Sequence, residues 1–139
     1  MKPTFIVDCS IAIAWYFIEE QTAETARIER RLLDEAALVP THWFLEVVNV
    51  LTGAERRGRT AKVDVDRFLH LLSKFEIQID DQSAALALAY IPSLCRDFGL
   101  TSYDAAYLEL AIRKQLPLAT LDKQLRQAAV AAKVPLLNK

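Results

Sequence analysis

Short apolar runs alternate along this chain with longer stretches whose apolar residues recur at helical spacing. Thr4-Phe5-Ile6-Val7 runs apolar up to Asp8 and predicts a strand, and residues 10–16 and 22–33 carry helical periodicity. Ala37-Leu38-Val39 reads as a second short strand, stopped by Pro40, ahead of an apolar helix over residues 41–57 and another over 63–74. A strand at 76–79 follows. Helices over 83–98 and 102–114 are separated by Gly99, a natural stop because glycine tolerates the left-handed conformation that ends many helices. Residues 117–120 form another apolar strand, 123–132 a last helix, and Val134-Pro135-Leu136-Leu137 a final apolar run. The alternation predicts an α/β fold: a three-layer α/β/α sandwich around a central, mainly parallel sheet of about five strands.

The strands differ in a way that locates the sheet centre. Phe5-Ile6-Val7 and Leu118-Ala119 are continuously apolar, as expected of strands covered on both faces, whereas Glu76-Ile77-Gln78-Ile79 alternates like an edge strand. Ligands of open α/β sheets sit beyond the carboxyl ends of central strands, where the strand order reverses. Asp8 and Asp122 fall at such ends.

Composition narrows the picture. The 139 residues, 53% hydrophobic and free of repeats or Gly/Ser linkers, predict a single domain over 1–139. The apolar run 11–18 is short of the ~20 residues that cross a bilayer, and Asp8 interrupts any signal-peptide pattern. Cys9 and Cys95 stand far apart with no CxxC pair, which argues against a disulfide framework or zinc site and makes a cytoplasmic location the expectation. A net charge of −1 supplies no global steering toward phosphate, so any nucleic-acid contact must be local. The groupings Arg27/Arg30/Arg31 and Arg56/Arg57/Arg59/Lys62 read first as solvated helix faces.

Four acids stand out, each with a plain alternative. Asp8 and Asp122 both precede helices and suit N-cap duty. Glu46 shares a narrow stripe with His42, Asn49 and Gly53 on a helix that is otherwise apolar around most of its circumference, so the helix is expected to be buried and Glu46 to need a cation, a proton or a water-filled cleft. Asp104 lies on the stripe of Tyr107, Leu108 and Ala111 and points inward, while Glu109 and Arg113 form an i,i+4 pair on a face expected to be solvated. Its alternative is a first-turn acid favoured by the helix dipole, with Ser102 as the cap. Asp80 and Asp81 also follow a strand, but an edge strand, and suit turn or capping duty. His42 could line the cleft or be merely satisfied; His70 has no role.

Acids that converge without matching His or Cys ligands need a hard divalent cation, Mg²⁺ or Mn²⁺, and phosphodiester hydrolysis is the chemistry such a site performs. Ser10, Asn49 and Thr120 are candidates to hydrogen-bond the acids and fix them. Two other readings stay open: an aspartyl-nucleophile phosphatase using Asp8, although Ser10 stands where such enzymes carry a second Asp, and a non-catalytic interaction module with an acidic cleft.

The segments Phe5-Ile6-Val7-Asp8-Cys9-Ser10, Glu46-Val47-Val48-Asn49-Val50-Leu51, Thr101-Ser102-Tyr103-Asp104-Ala105-Ala106-Tyr107 and Leu118-Ala119-Thr120-Leu121-Asp122-Lys123-Gln124-Leu125, in this order and spacing, resemble the PIN-domain family and within it the VapC-type toxins of toxin–antitoxin pairs. The resemblance covers nearly the whole chain. It implies a metal-dependent endoribonuclease whose catalytic and metal-binding acids are Asp8, Glu46, Asp104 and Asp122, with Ser10, Asn49 and Thr120 matching polar positions beside them. It also implies RNA as substrate, a homodimer, and a cognate antitoxin that occupies the acidic cleft. Cys9 departs from the pattern, where relatives often carry Thr or another small residue.

Overall fold

A computed structural model describes residues 1–138. Strand β1 (Pro3–Val7) leads into α1 (Cys9–Tyr16), a 3₁₀ turn (Ile18–Glu20) and α2 (Ala23–Arg31). Then come β2 (Ala36–Val39), α3 (Trp43–Arg56), α4 (Lys62–Leu72), β3 (Ile77–Ile79), α5 (Ser83–Phe98), α6 (Ser102–Lys114), β4 (Leu118–Ala119) and α7 (Lys123–Ala131). The strands pair in parallel in the order β3-β2-β1-β4, flanked by the helices as an α/β/α sandwich. None of the described helices is long and apolar enough to cross a membrane.

The sheet has four strands rather than five. The last apolar run adds one bridge, Leu118 to Leu136, in which the Leu118 amide donates to Pro135 and the Leu137 amide donates to Leu118. The ladder stops there because the Asn138 side chain takes the place of the next rung. Its Oδ1 accepts from the Thr120 amide at 3.0 Å and its Nδ2 donates to the Thr120 carbonyl at 2.8 Å. β4 is therefore the outermost strand of the ladder, yet Leu118 and Ala119 are fully buried as their composition predicts. β1 and β2 are buried through their apolar residues, and β3 is the exposed edge.

Strand order runs outward from β1 through β2 to β3 and then returns to the other side at β4, so the reversal lies between β1 and β4. The carboxyl ends of these two strands form the crevice in which doubly wound sheets bind ligands. α6 packs over β1 and β4 and beside α7, which brings its first turn to the same crevice.

Two expectations about helices need correction. α3 is not buried all round: Trp43, Val47, Leu51 and Ala54 face the core, one stripe of the helix, while Leu45 is 72% exposed and Val48 and Val50 are also at the surface. Only one side of α3 has structure to pack on. The cap of α6 is Thr101, whose Oγ1 accepts from the Asp104 amide, and Ser102 is the first helical residue. Gly99, at φ +66°, ends α5 as its sequence position predicts.

Candidate active site

Asp8 is positioned by the step from β1 into α1. As the N-cap of α1 it accepts from the Ser10 amide at 3.0 Å and from the Ser10 hydroxyl on the same Oδ1, while Oδ2 accepts from Thr120 Oγ1 at 2.5 Å. Capping and site-building are thus the same act. Asp8 is 4% exposed, and burial, opposed by the hydroxyls of Ser10 and Thr120, raises its pKa to about 7, with repulsion from Asp104 adding to the shift.

Asp122 repeats the pattern after β4, as N-cap of α7 accepting from the Leu125 amide at 2.8 Å. Ser10 and Thr120 join the two strand ends. Ser10 Oγ accepts from the Leu121 amide at 2.9 Å, and Thr120 Oγ1, having donated to Asp8, accepts from the Asp122 amide at 3.0 Å. The carbonyl of Thr120 is held in turn by Arg126 Nη1 at 3.0 Å.

Asp104 sits in the first turn of α6, half buried. Desolvation raises its pKa, and so does repulsion from Asp122 and Glu46, against smaller lowering effects of Thr101 and His42. Glu46 enters from α3 and accepts a hydrogen bond from the Tyr107 hydroxyl. His42 lies one turn before it, with Nε2 3.6 Å from Glu46 Oε1 and its ring edge-on to Tyr103 and Tyr107.

All four acids line one cleft of about 360 Å³ together with Cys9, Ser10, Glu20, Tyr107 and the apolar Ile13, Val50 and Leu121. Among the described residues the lining holds five carboxylates and no Lys, Arg or His. Burial and the nearby Glu46 and Asp8 push the Cys9 thiol up to about 12, so it stays protonated and inert.

Of the residues expected to support the acids, Ser10 and Thr120 do so. Asn49 is exposed, and among the described residues its side chain makes no hydrogen bond to the four acids; it lines a neighbouring hollow with His42, Leu45, Tyr103 and Glu46, the acid that borders both. His42 belongs to that hollow and touches the cleft only through Glu46. Two contributors were missed. Tyr107 shares the inward stripe of Asp104, and a phenol among residues read as apolar packing was the signal. Glu20 comes from the 3₁₀ turn and has no sequence signal.

Asp80, Glu109 and Arg113 form a second acidic cluster, and it corrects the expectation of a solvated Glu109/Arg113 face. Glu109 is 7% and Asp80 4% exposed, because α6 packs along α5 and beside the end of β3. Arg113 donates to Glu109 Oε2 at 2.8 Å and to Asp80 Oδ2 at 2.8 Å, while the Ser83 hydroxyl also donates to Asp80. Asp80 is a structural acid, as its edge-strand position suggests.

Residues 5–131 match the PIN domain. The chain is 33% identical over 135 residues to a protein named Ribonuclease VapC3 from Pyrobaculum aerophilum, covering 94% of this chain and 98% of that one. Its fold resembles the crystal structure of PAE2754 from Pyrobaculum aerophilum, with a TM-score of 0.67 at 24% identity over 91% of this chain and 79% of that one. It also resembles a toxin–antitoxin complex from Klebsiella pneumoniae, with a TM-score of 0.55 at 19% identity over 86% and 87% of the two chains. Four acids, after β1, on α3, on α6 and after β4, gathered at the reversal of a parallel sheet, sit on a chain whose match runs almost from end to end, and the protein belongs to the PIN-domain family.

Proposed function

We propose that this protein is a metal-dependent endoribonuclease that hydrolyses RNA phosphodiester bonds at Asp8, Glu46, Asp104 and Asp122, and that it acts as the toxin of a toxin–antitoxin pair. The observation that carries the reading is a cleft in which Asp8, Glu46, Asp104 and Asp122 converge with no Lys or Arg paired to them among the described residues, the fifth carboxylate, Glu20, being paired with Arg59. Such a lining is stable only if the acids take up protons or a cation, and the raised pKa values of Asp8 and Asp104 express that need. The donor set is all oxygen, which suits Mg²⁺ or Mn²⁺. Among the described residues no three acidic, His or Cys side chains are already drawn into a closed cage, and Mg²⁺ does not require one, since it commonly keeps several waters and takes one or two carboxylates.

When bound, the cation would lower the pKa of its water and offset charge developing on the scissile phosphate. The chain's own contribution is orientation. Ser10 and Thr120 hold both oxygens of Asp8, Tyr107 holds Oε1 of Glu46, and the Leu125 amide fixes Asp122. Aspartyl-phosphate chemistry at Asp8 fits less well, because Ser10 stands where such enzymes carry a second Asp.

RNA as substrate is supported by the ribonuclease name of the relative that spans the chain, and an antitoxin partner by the likeness to a toxin–antitoxin complex. An antitoxin would enter the cleft with a basic side chain. A second copy of the chain is the remaining partner, for which Leu88, Tyr90 and Ile112 on α5 and α6 offer exposed apolar surface; light scattering of the purified protein checks this.

Purified protein with Mg²⁺ or Mn²⁺ is expected to cut RNA, to stop when a chelator is added, and to lose cleavage in Asp8→Ala and Asp104→Ala. Cleavage that persists in both variants refutes the site.

A further inference from the structure

A cleft that repels phosphate must have cations beside it to hold an RNA strand, and a net charge of −1 leaves this to local groups. The face of α3 that carries Glu46 continues through Val50 and Gly53 to Arg57, at offsets of 4, 7 and 11 residues that fall within about 60° of one another around the helix. Glu46 and Val50 both line the cleft. Gly53 sits mid-helix without a left-handed backbone, and it is buried. A Cβ there would meet Arg57 Nη1 at 3.3 Å and Arg56 Nη2 at 3.6 Å. Two guanidinium groups therefore lie back over the buried Gly53, on the side that leads to the cleft.

Their neighbours are already engaged. Arg59 pairs with Glu19 and Glu20 and stacks on the Phe17 ring, and Lys62 pairs with Asp66. Arg56 and Arg57 are exposed, and among the described residues neither has an ion-pair partner.

We infer that Arg56 and Arg57 bind the RNA backbone, and that the substrate strand runs from the acidic cleft along α3, past Val50, to these two arginines, whose guanidinium groups lie over Gly53 about 10 Å away along the helix axis. The inference rests on the nuclease reading and names the substrate-binding track of that site. The two residues position the strand and take no part in bond cleavage.

The test is binding of a fluorescein-labelled single-stranded RNA of mixed sequence, in chelator so that nothing is cut, across a range of salt. Loss of two phosphate contacts in Arg56→Gln/Arg57→Gln lowers the slope of log K against log salt by about 1.4, which amounts to roughly 25-fold weaker binding at ~0.1 M salt. Arg27→Gln/Arg30→Gln, an equal charge change on α2, leaves the slope unchanged. In cleavage assays with Mn²⁺ the first double variant raises KM at unchanged kcat. An unchanged slope in Arg56→Gln/Arg57→Gln, or the same loss in both double variants, overturns the track, including the case in which these arginines serve a protein partner instead. Wild-type protein that binds RNA by this pattern but never cuts it refutes the nuclease reading alone, and protein that does neither refutes both.

Discussion

Two acidic clusters share α6, and they differ in one side chain. At the end of β3, Asp80 and Glu109 are buried and meet Arg113. At the ends of β1 and β4, Asp8, Glu46, Asp104 and Asp122 share a cleft and, among the described residues, meet no Lys or Arg, only His42 at 3.6 Å from Glu46. The guanidinium holds Asp80 below its ordinary pKa, although burial opposes it, whereas Asp8 and Asp104 are raised. A cluster that carries its own counter-charge is finished as structure. One that lacks it keeps its acids at raised pKa, the pattern that perturbed carboxylates show at functional sites.

Each side of the comparison can be broken. Arg113→Met leaves two buried carboxylates unpaired and is expected to cost about 3–5 kcal/mol in denaturant unfolding. Adding Asp80→Asn and Glu109→Gln to it should return most of that loss. Asp104→Asn, on the other side, should lower RNA cleavage about 100- to 1,000-fold while leaving the fold intact or more stable, since it removes repulsion rather than attraction. If instead Asp104→Asn unfolds the protein, the cleft is structural as well.

The two clusters also respond to pH with opposite sign. Asp8 goes from an ordinary 3.8 to about 7 on folding, so the folded protein binds the extra proton and its contribution is present below the ordinary pKa and lost as pH rises through about 7. In chelator, unfolding free energy should fall by about 2 kcal/mol from this group between about pH 5.5 and pH 7. Asp8→Asn should remove the slope and Mn²⁺ should reverse it. Asp80, with a lowered pKa, contributes stability above its ordinary value that is lost as pH falls. A flat profile across neutral pH in chelator would contradict the unrelieved cleft.

The smallest expected effect sharpens the orientation argument. Tyr107→Phe removes the donor to Glu46 Oε1 and should weaken Mn²⁺ binding about tenfold, as loss of a hydrogen bond behind a ligand commonly does, with little change in thermal midpoint. Binding is read by titration calorimetry on the metal-free protein. Unchanged affinity would make Tyr107 a packing residue only.

Much of this was open to inspection in the sequence. Strand and helix periods depend on near neighbours, so β1, β2, the exposed edge β3, the Gly99 stop and all seven helices could be placed from residue spacing. Asp8, Asp104 and Asp122 were marked by position, at strand ends or on an inward helix stripe. The errors share a cause. The outer apolar face of α3 is exposed among the described residues; Glu109 is buried rather than solvated; the fifth strand is a single bridge ended by the Asn138 side chain.

Sequence by itself determined which residues share a face, because that is a local property of a helix or strand. What lies opposite the face is not local. Only tertiary packing decided that Arg113 would reach Asp80 across 33 residues while Thr120 Oγ1, rather than any cation, would reach Asp8 across 112. The charge of a carboxylate's neighbours, and with it the division between a paired acid and an available one, is set by contacts that no spacing rule encodes.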